Sequence, residues 1–243
     1  MTIVSLSLFR FPSLAARLWV LGQMGAARLS FWRMPDVGFW KLCGSGTGEG
    51  FTPRPNTAVW AILATWPDEA TARRYLNAAP VYRRWARHAA ESWHILLQPT
   101  SARGQWAGVE PFTPSLDAQP QTTPEGPVVA LTRATMRAST FLRFWRRVPD
   151  ISAVIGQDPN VIFKIGIGEV PLLHQVTFSI WPDLASMAHF ARGDGPHGRA
   201  IAAVRREGWF KEELYARFRL IDDWGTWGGQ RPLATTPAAK DAA

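Results

Sequence analysis

Apolar and polar residues alternate along His174–Trp181 (HQVTFSIW): Gln175, Thr177 and Ser179 share one face, Val176, Phe178 and Ile180 the other. That period of two marks a half-buried strand. Val128–Thr135, Val161–Gly168 and Leu214–Ile221 read as three further strands. Ser139–Ile155 and Leu184–Arg206 are helical in pattern, with breaks near Pro149 and at Gly193–Pro196. The carboxy-terminal half therefore reads β-α-β-β-α-β.

The amino-terminal half repeats it. IVSLSLFRF opens the first half as PVVALTRAT opens the second, and FWKLCGSG precedes the first Trp-Pro-Asp as IFKIGIGE precedes the second, so that Lys41 mirrors Lys164. Trp181 follows Trp66 by 115 residues, whereas Pro196 follows Pro80 and Trp209 follows Trp93 by 116. One offset with a single-residue slip is the signature of a tandem duplication. Trp66-Pro67-Asp68 and Trp181-Pro182-Asp183 read as strand-to-helix corners, with Asp68 and Asp183 as helix N-caps. Trp93 and Trp209 read as core anchors.

The repeated order is that of the ferredoxin-like unit. Its helices cover one sheet face and leave the other bare. Two copies in one chain can cover each other, so the expected fold is α+β: two tandem ferredoxin-like repeats closing an intrachain dimeric α+β barrel. The expected boundaries are 1–110 for the first repeat, 111–127 for a Pro-rich linker, 128–222 for the second repeat and 223–243 for a tail.

Composition narrows the partners. The chain of 243 residues holds 13 Trp and 13 Phe, a single Cys and a net charge of +8. One Cys permits no internal disulfide and favours a reducing compartment. No apolar run is long enough to span a membrane, and no secretory leader is written, so a cytoplasmic protein is expected. The positive charge suits an acidic protein or an anionic membrane surface. Nucleic acid is excluded as the expected partner, because the basic residues are scattered and no binding motif appears.

Candidate chemistry is sparse. CGSGTGEGF (Cys43–Phe51) lacks the Gly-Lys-Ser/Thr ending of a phosphate loop and reads as a hairpin loop or bulge. Cys43 reads as a small buried residue, with a thiolate iron ligand as the alternative. No carboxylate pair has the spacing of an acid–base dyad. Among His88, His94, His174, His189 and His197 no zinc-type pair is written. His88 lies on a basic helix and reads as solvated. His174 and His197 stand where the first copy has Val59 and Val81, and a duplicated protein that keeps one site would show such asymmetry. Both are candidate axial iron ligands in the space between the second half's sheet and helix, His197 first and His174 second, with hydrogen-bonded structural histidines as the alternative. Arg133 and Lys164 are isolated strand cations that could meet a cofactor carboxylate.

GFWKLCGSGTGEGFTP, NTAVWAILATWPD, PNVIFKIGIGEVPLLHQVTFSIWPD and GWFKEELYARF, spread over most of residues 3–222, resemble the spheroidene monooxygenase family of photosynthetic purple bacteria. The resemblance implies a dimeric α+β barrel and haem-dependent, oxygen-dependent oxidation of an acyclic methoxy-carotenoid at C-2. Two successive hydroxylations would lead to a 2-keto product, with reduced ferredoxin as electron donor. No CxxCH is present, so the implied haem b would be non-covalent. The substrate places the protein peripherally at the inner or photosynthetic membrane, held by charge and released by salt. A non-enzymatic barrel that binds carotenoid or another apolar ligand is the alternative function.

Overall fold

The computed structural model describes residues 2–48, 54–114, 126–137, 160–170, 173–192 and 210–233. The first repeat comprises β1 (Ile3–Arg10), α1 (Leu14–Trp32), β2 (Trp40–Gly46), β3 (Pro55–Trp66), α2 (Glu69–Ala78), α3 (Pro80–His88) and β4 (Glu91–Gly104). The second comprises β5 (Val128–Met136), β6 (Phe163–Gly168), β7 (His174–Trp181), α4 (Leu184–Arg192) and β8 (Phe210–Gly225). The expected helix Ser139–Ile155, the Gly193–Pro196 break, Trp209 and most of the linker lie outside the described residues. Of the expected helix Leu184–Arg206, α4 is the described part.

The strands close a barrel in the order β1-β3-β2-β6-β7-β5-β8-β4, every neighbouring pair antiparallel. Each half contributes its fourth, first, third and second strands in that order, as a ferredoxin-like unit requires. The halves are joined along β4 and β8 and through a short seam where Gly44 and Ser45 of β2 meet Gly168 and Ile167 of β6, which closes the barrel. Strand alternation directs Val4, Leu6, Leu131, Phe178 and Phe218 into the barrel. The opposite face of the first sheet buries Phe9, Ile62 and Leu96 against α1–α3 through Val20, Phe31 and Trp85.

Both Trp-Pro-Asp segments are strand-to-helix corners. Asp68 Oδ1 accepts from Thr71 N at 2.7 Å, and Asp183 Oδ1 from Ser186 N at 2.7 Å, satisfying backbone donors that a helix start leaves orphaned. The indole N–H groups are satisfied too, Trp66 on Ser5 Oγ at 2.8 Å and Trp181 on Ser179 Oγ at 2.9 Å. The first repeat's second crossover is split at Ala79–Pro80. Ala79 is extended (φ −64°, ψ 136°) because a residue before proline avoids the helical region, and Pro80 starts a new helix where no N–H is needed.

Strand pairing corrects two matches made from sequence. Leu63 pairs with Leu6 and Lys41, while Phe178, 115 residues on, pairs with Leu131 and Ile165. Lys41 therefore corresponds to Ile165, not to Lys164, and a one-residue slip reverses the face on which a strand residue lies. Along β4 and β8 the pairs Ile95↔Asp223 and Ala102↔Ala216 exchange under an offset of 121 residues. Leu214 thus holds the place equivalent to Trp93, not Trp209. The glycine-rich stretch of β2 forms a bulge, with a register shift between Gly44 and Ser45.

Candidate functional site

The barrel interior is apolar except towards one end. Arg133 shares a face of β5 with Val129 and Leu131, which carries its guanidinium into the barrel, where it is 2% exposed. It pairs with Glu212, whose backbone sits opposite Thr135 on β8, and lies 5.7 Å from the centroid of the Trp106 ring. Glu212 also accepts from Gly108 N at 2.7 Å and Ala107 N at 3.0 Å. Burial alone would raise the Glu212 carboxyl. The two amides and the Arg133 guanidinium outweigh it and hold the group below the usual carboxylate range.

Trp106 is fully buried and donates its indole N–H to Glu169 Oε2 at 2.9 Å. Lys41 Nζ lies 2.9 Å from Glu169 Oε1, and His174 Nδ1 lies 3.2 Å from Oε2. One carboxylate thereby ties together the residue after β6, the start of β7, β2 and the turn after β4. Cys43 borders this cluster. Burial and then the Glu169 charge push its thiol up, against the opposing pull of Lys41 and Arg133. With no metal beside it, it is a neutral core thiol. The same loops present Val109, Val170 and Leu173 to solvent, 48%, 40% and 36% exposed, an apolar rim beside a buried polar cluster.

The turn bearing Trp106 has a twin. GQWAGV (104–109) and GTWGGQ (225–230) stand 121 residues apart, and each tightens through a bridge, Trp106↔Val109 and Trp227↔Gln230. Gly104 and Gly225 adopt φ of 100° and 99°. A Cβ there would come within 2.2 Å of Glu213 O or 2.1 Å of Ser92 O, so only glycine lets the chain pass so close to the neighbouring strand. Glu91 holds the second turn as Glu212 holds the first, accepting from Gly229 N at 2.6 Å and pairing with Arg10 at 2.7 Å. Arg10 lies 4.4 Å from the Trp227 ring. The residue-by-residue equivalents of Lys41, His174 and Arg133 at this second end are Ile165, Val59 and Leu8. The symmetry of the duplication is thus broken by polar residues at one end.

Of the residues singled out from sequence, the fold brings His174 and Arg133 into this cluster. His174 points to the barrel network and not into the space between sheet and helix, because it shares the Val176 and Phe178 face of β7. Lys164 pairs across from Ser179 on the opposite, helix-covered face. His197 lies outside the described residues. His94 is a core residue, its Nδ1 2.8 Å from Ser7 Oγ and its ring stacked on Trp224. Burial depresses it to about 4, so it is neutral. His88 stacks on Trp19 at 3.8 Å, and His189 is exposed. Trp106, Glu169 and Glu212 were not singled out from sequence. The twin Gly-x-Trp-x-Gly turns were the available signal.

Among the described residues no group of three or more His, Cys, Asp and Glu could hold a bare metal ion. A haem would need only an axial ligand, for which His174 is the candidate among the described residues. Its buried Nδ1 lies 3.2 Å from Glu169 Oε2 without making a hydrogen bond.

No protein-family model matches the chain. It is 56% identical over its whole length to the full-length spheroidene monooxygenase of Rhodobacter capsulatus. It is 55% identical over 99% of its length to that of Cereibacter sphaeroides, covering 73% of the relative, and 34% identical over 89% to that of Rubrivivax gelatinosus, covering 82%. Two crystal structures of aldoxime dehydratases, one in complex with butyraldoxime, share the fold. Their TM-scores are 0.59 and 0.58 at 11% and 13% identity, over 91% of this chain and 80% and 82% of theirs.

Proposed function

The chain belongs to the spheroidene monooxygenase family, and from that premise we propose that it oxidises an acyclic methoxy-carotenoid such as spheroidene at C-2, through two hydroxylations, to a 2-keto carotenoid. Identity of 56% across the full length of a relative with that name carries the reading. Each hydroxylation consumes one O2, two electrons and two protons, placing one oxygen on carbon and releasing the other as water. The second yields a geminal diol, which loses water to give the ketone. Reduced ferredoxin is the proposed electron donor and a membrane surface the proposed site of substrate pick-up.

Non-covalent haem b would supply the oxygen activation that no side chain of this chain can provide. Two imidazoles are proposed to hold it, His197 first and His174 second, and the fold separates the cations that would accompany them. Arg133 belongs with His174, at the barrel end. Lys164 belongs to the opposite sheet face. Around His174, the chain's own residues have defined tasks. Glu169 lies beside the ring, its Oε2 3.2 Å from Nδ1, while the Trp106 indole and Lys41 hold the carboxylate still. Trp106 and Phe39, 5.4 Å apart edge to face, exclude water from that side. The exposed Val109, Val170 and Leu173 give an apolar polyene a surface to approach along.

Purified protein supplied with spheroidene, oxygen, ferredoxin and its reductase should form the 2-keto product and show a Soret band. Limiting reductant should accumulate a monohydroxylated intermediate whose hydroxyl oxygen derives from isotopically labelled O2. Label arriving from water would replace the monooxygenase with a hydratase, and a colourless or merely carotenoid-stained protein would favour the binding alternative. Loss of the Soret band in His197→Ala or in His174→Ala, with far-UV circular dichroism retained, decides between the ligands.

A further inference from the structure

Helix α1 is apolar on both sides. One face buries Val20, Ala27 and Phe31 against the first sheet. The other presents Leu14, Leu18, Leu21, Leu29 and Trp32 to solvent, 73%, 62%, 58%, 48% and 72% exposed. With Gly25 between them, these residues recur at spacings of three and four, one continuous stripe on a helix. A Cβ at Gly22 or Gly25 would meet nothing within 4 Å, so nothing among the described residues covers the stripe. Single exposed leucines are ordinary on protein surfaces, but a contiguous stripe marks an interaction site.

Charge identifies what covers it. No Asp or Glu occurs in α1. Arg17 and Arg28 flank the stripe, Arg33 ends it, and α3 beside it adds Arg83, Arg84 and Arg87. None of these six forms an ion pair among the described residues, whereas Arg73 and Arg74 are paired with Glu69, Asp222 and Asp36. A second copy of the chain would set arginines against arginines. An anionic lipid surface answers both features: acyl chains take the Leu and Trp side chains, and phosphates meet the guanidinium groups at headgroup depth.

We propose that α1 docks the protein flat on an anionic bilayer, its Leu14–Trp32 stripe inserted at the headgroup–acyl boundary and its flanking arginines on lipid phosphates. The inference rests on the carotenoid reading only for the reason to visit a membrane. It also changes the expected mode of binding: charge alone would be released by salt, and an inserted stripe is not. Among the described residues no helix is long and apolar enough to cross a membrane, which accords with an element lying in the interface.

The test is sedimentation of the full holo-protein with sucrose-loaded vesicles of phosphatidylcholine, with and without phosphatidylglycerol, from low to high salt. Wild type should bind the anionic vesicles and keep a fraction bound at high salt. Leu18→Gln with Leu21→Gln should lower the partition coefficient about tenfold or more and make the remainder fully salt-labile. Arg28→Gln with Arg33→Gln should weaken binding several-fold and remove the preference for anionic lipid. All four positions are exposed, so unfolding midpoints should not move. The leucine variant should still oxidise carotenoid dispersed in detergent, and failure of wild type there would count against the functional reading and not against the docking face. Equal vesicle binding by wild type and the leucine variant would overturn the proposal. So would a wild-type dimer in sedimentation velocity that the leucine variant turns into a monomer, which would make the stripe an interface between copies.

Discussion

Replacing Glu212 with Ala tests the buried cluster, and the duplication supplies the control. Glu212 and Glu91 do the same work at opposite barrel ends, but their arginines differ in burial: the Arg133 side chain is 2% exposed and that of Arg10 37%. In Glu212→Ala a guanidinium remains inside the barrel with no carboxylate, and stranding one partner of a buried pair costs about 3–5 kcal/mol. In Glu91→Ala, Arg10 turns to water, so the loss is about 1 kcal/mol from a part-exposed pair and its amide contact. Guanidinium chloride unfolding, read by circular dichroism and Trp fluorescence, should show an unchanged slope and a much larger midpoint shift for the first variant. Acid gives a second reading. The folded Glu212 carboxyl titrates below its ordinary value of 4.5, so its stabilisation is complete above that value and is lost as pH falls through the depressed folded value. The gap between wild type and Glu212→Ala should therefore narrow as pH drops below 4.5. Equal midpoint shifts for the two variants, or a gap insensitive to acid, would refute the claim that Arg133 depends on Glu212.

Gly104→Ala and Gly225→Ala should each destabilise by about 2–3 kcal/mol or more, since both positions combine positive φ with a close backbone oxygen; a shift under 1 kcal/mol by the same denaturation assay would contradict that. Between the ordinary histidine value of 6.5 and about 4, His94 is uncharged when folded and protonated when unfolded. Stability should fall as pH drops across that window, by up to about 3 kcal/mol, and His94→Phe should flatten this part of the pH–stability profile. Trp106→Phe removes the donor to Glu169 at little change in volume and should cost about 1–2 kcal/mol. The matching Trp227→Phe, at the end whose equivalents of Lys41 and His174 are apolar, should cost less, as comparison of their unfolding midpoints will show.

The elements with local causes were legible along the chain. Alternation marks the strands because a pleat sends successive side chains to opposite faces. The Trp-Pro-Asp corners are written locally because a cap acts within one helical turn. The duplication follows from two equal copies of those signals, and the closed barrel from two one-sided sheets that need cover. The family was legible in long motifs, which carry more information than any single residue. The cluster was not, since its bonds join residues far apart in sequence: Arg133 to Glu212 across 79 positions and Trp106 to Glu169 across 63. Register was equally hidden. IFKIGIGE matches FWKLCGSG best with lysine on lysine, but the ladders place Ile165 at the position of Lys41 and send Lys164 to the other face. The sequence by itself determined which segments are strands, where helices begin, and that the chain carries two copies of one unit. Which end of the barrel became polar, and which residues meet there, was decided only when the two sheets closed, because a side chain's face and its distant partners depend on a pairing register that local pattern does not encode.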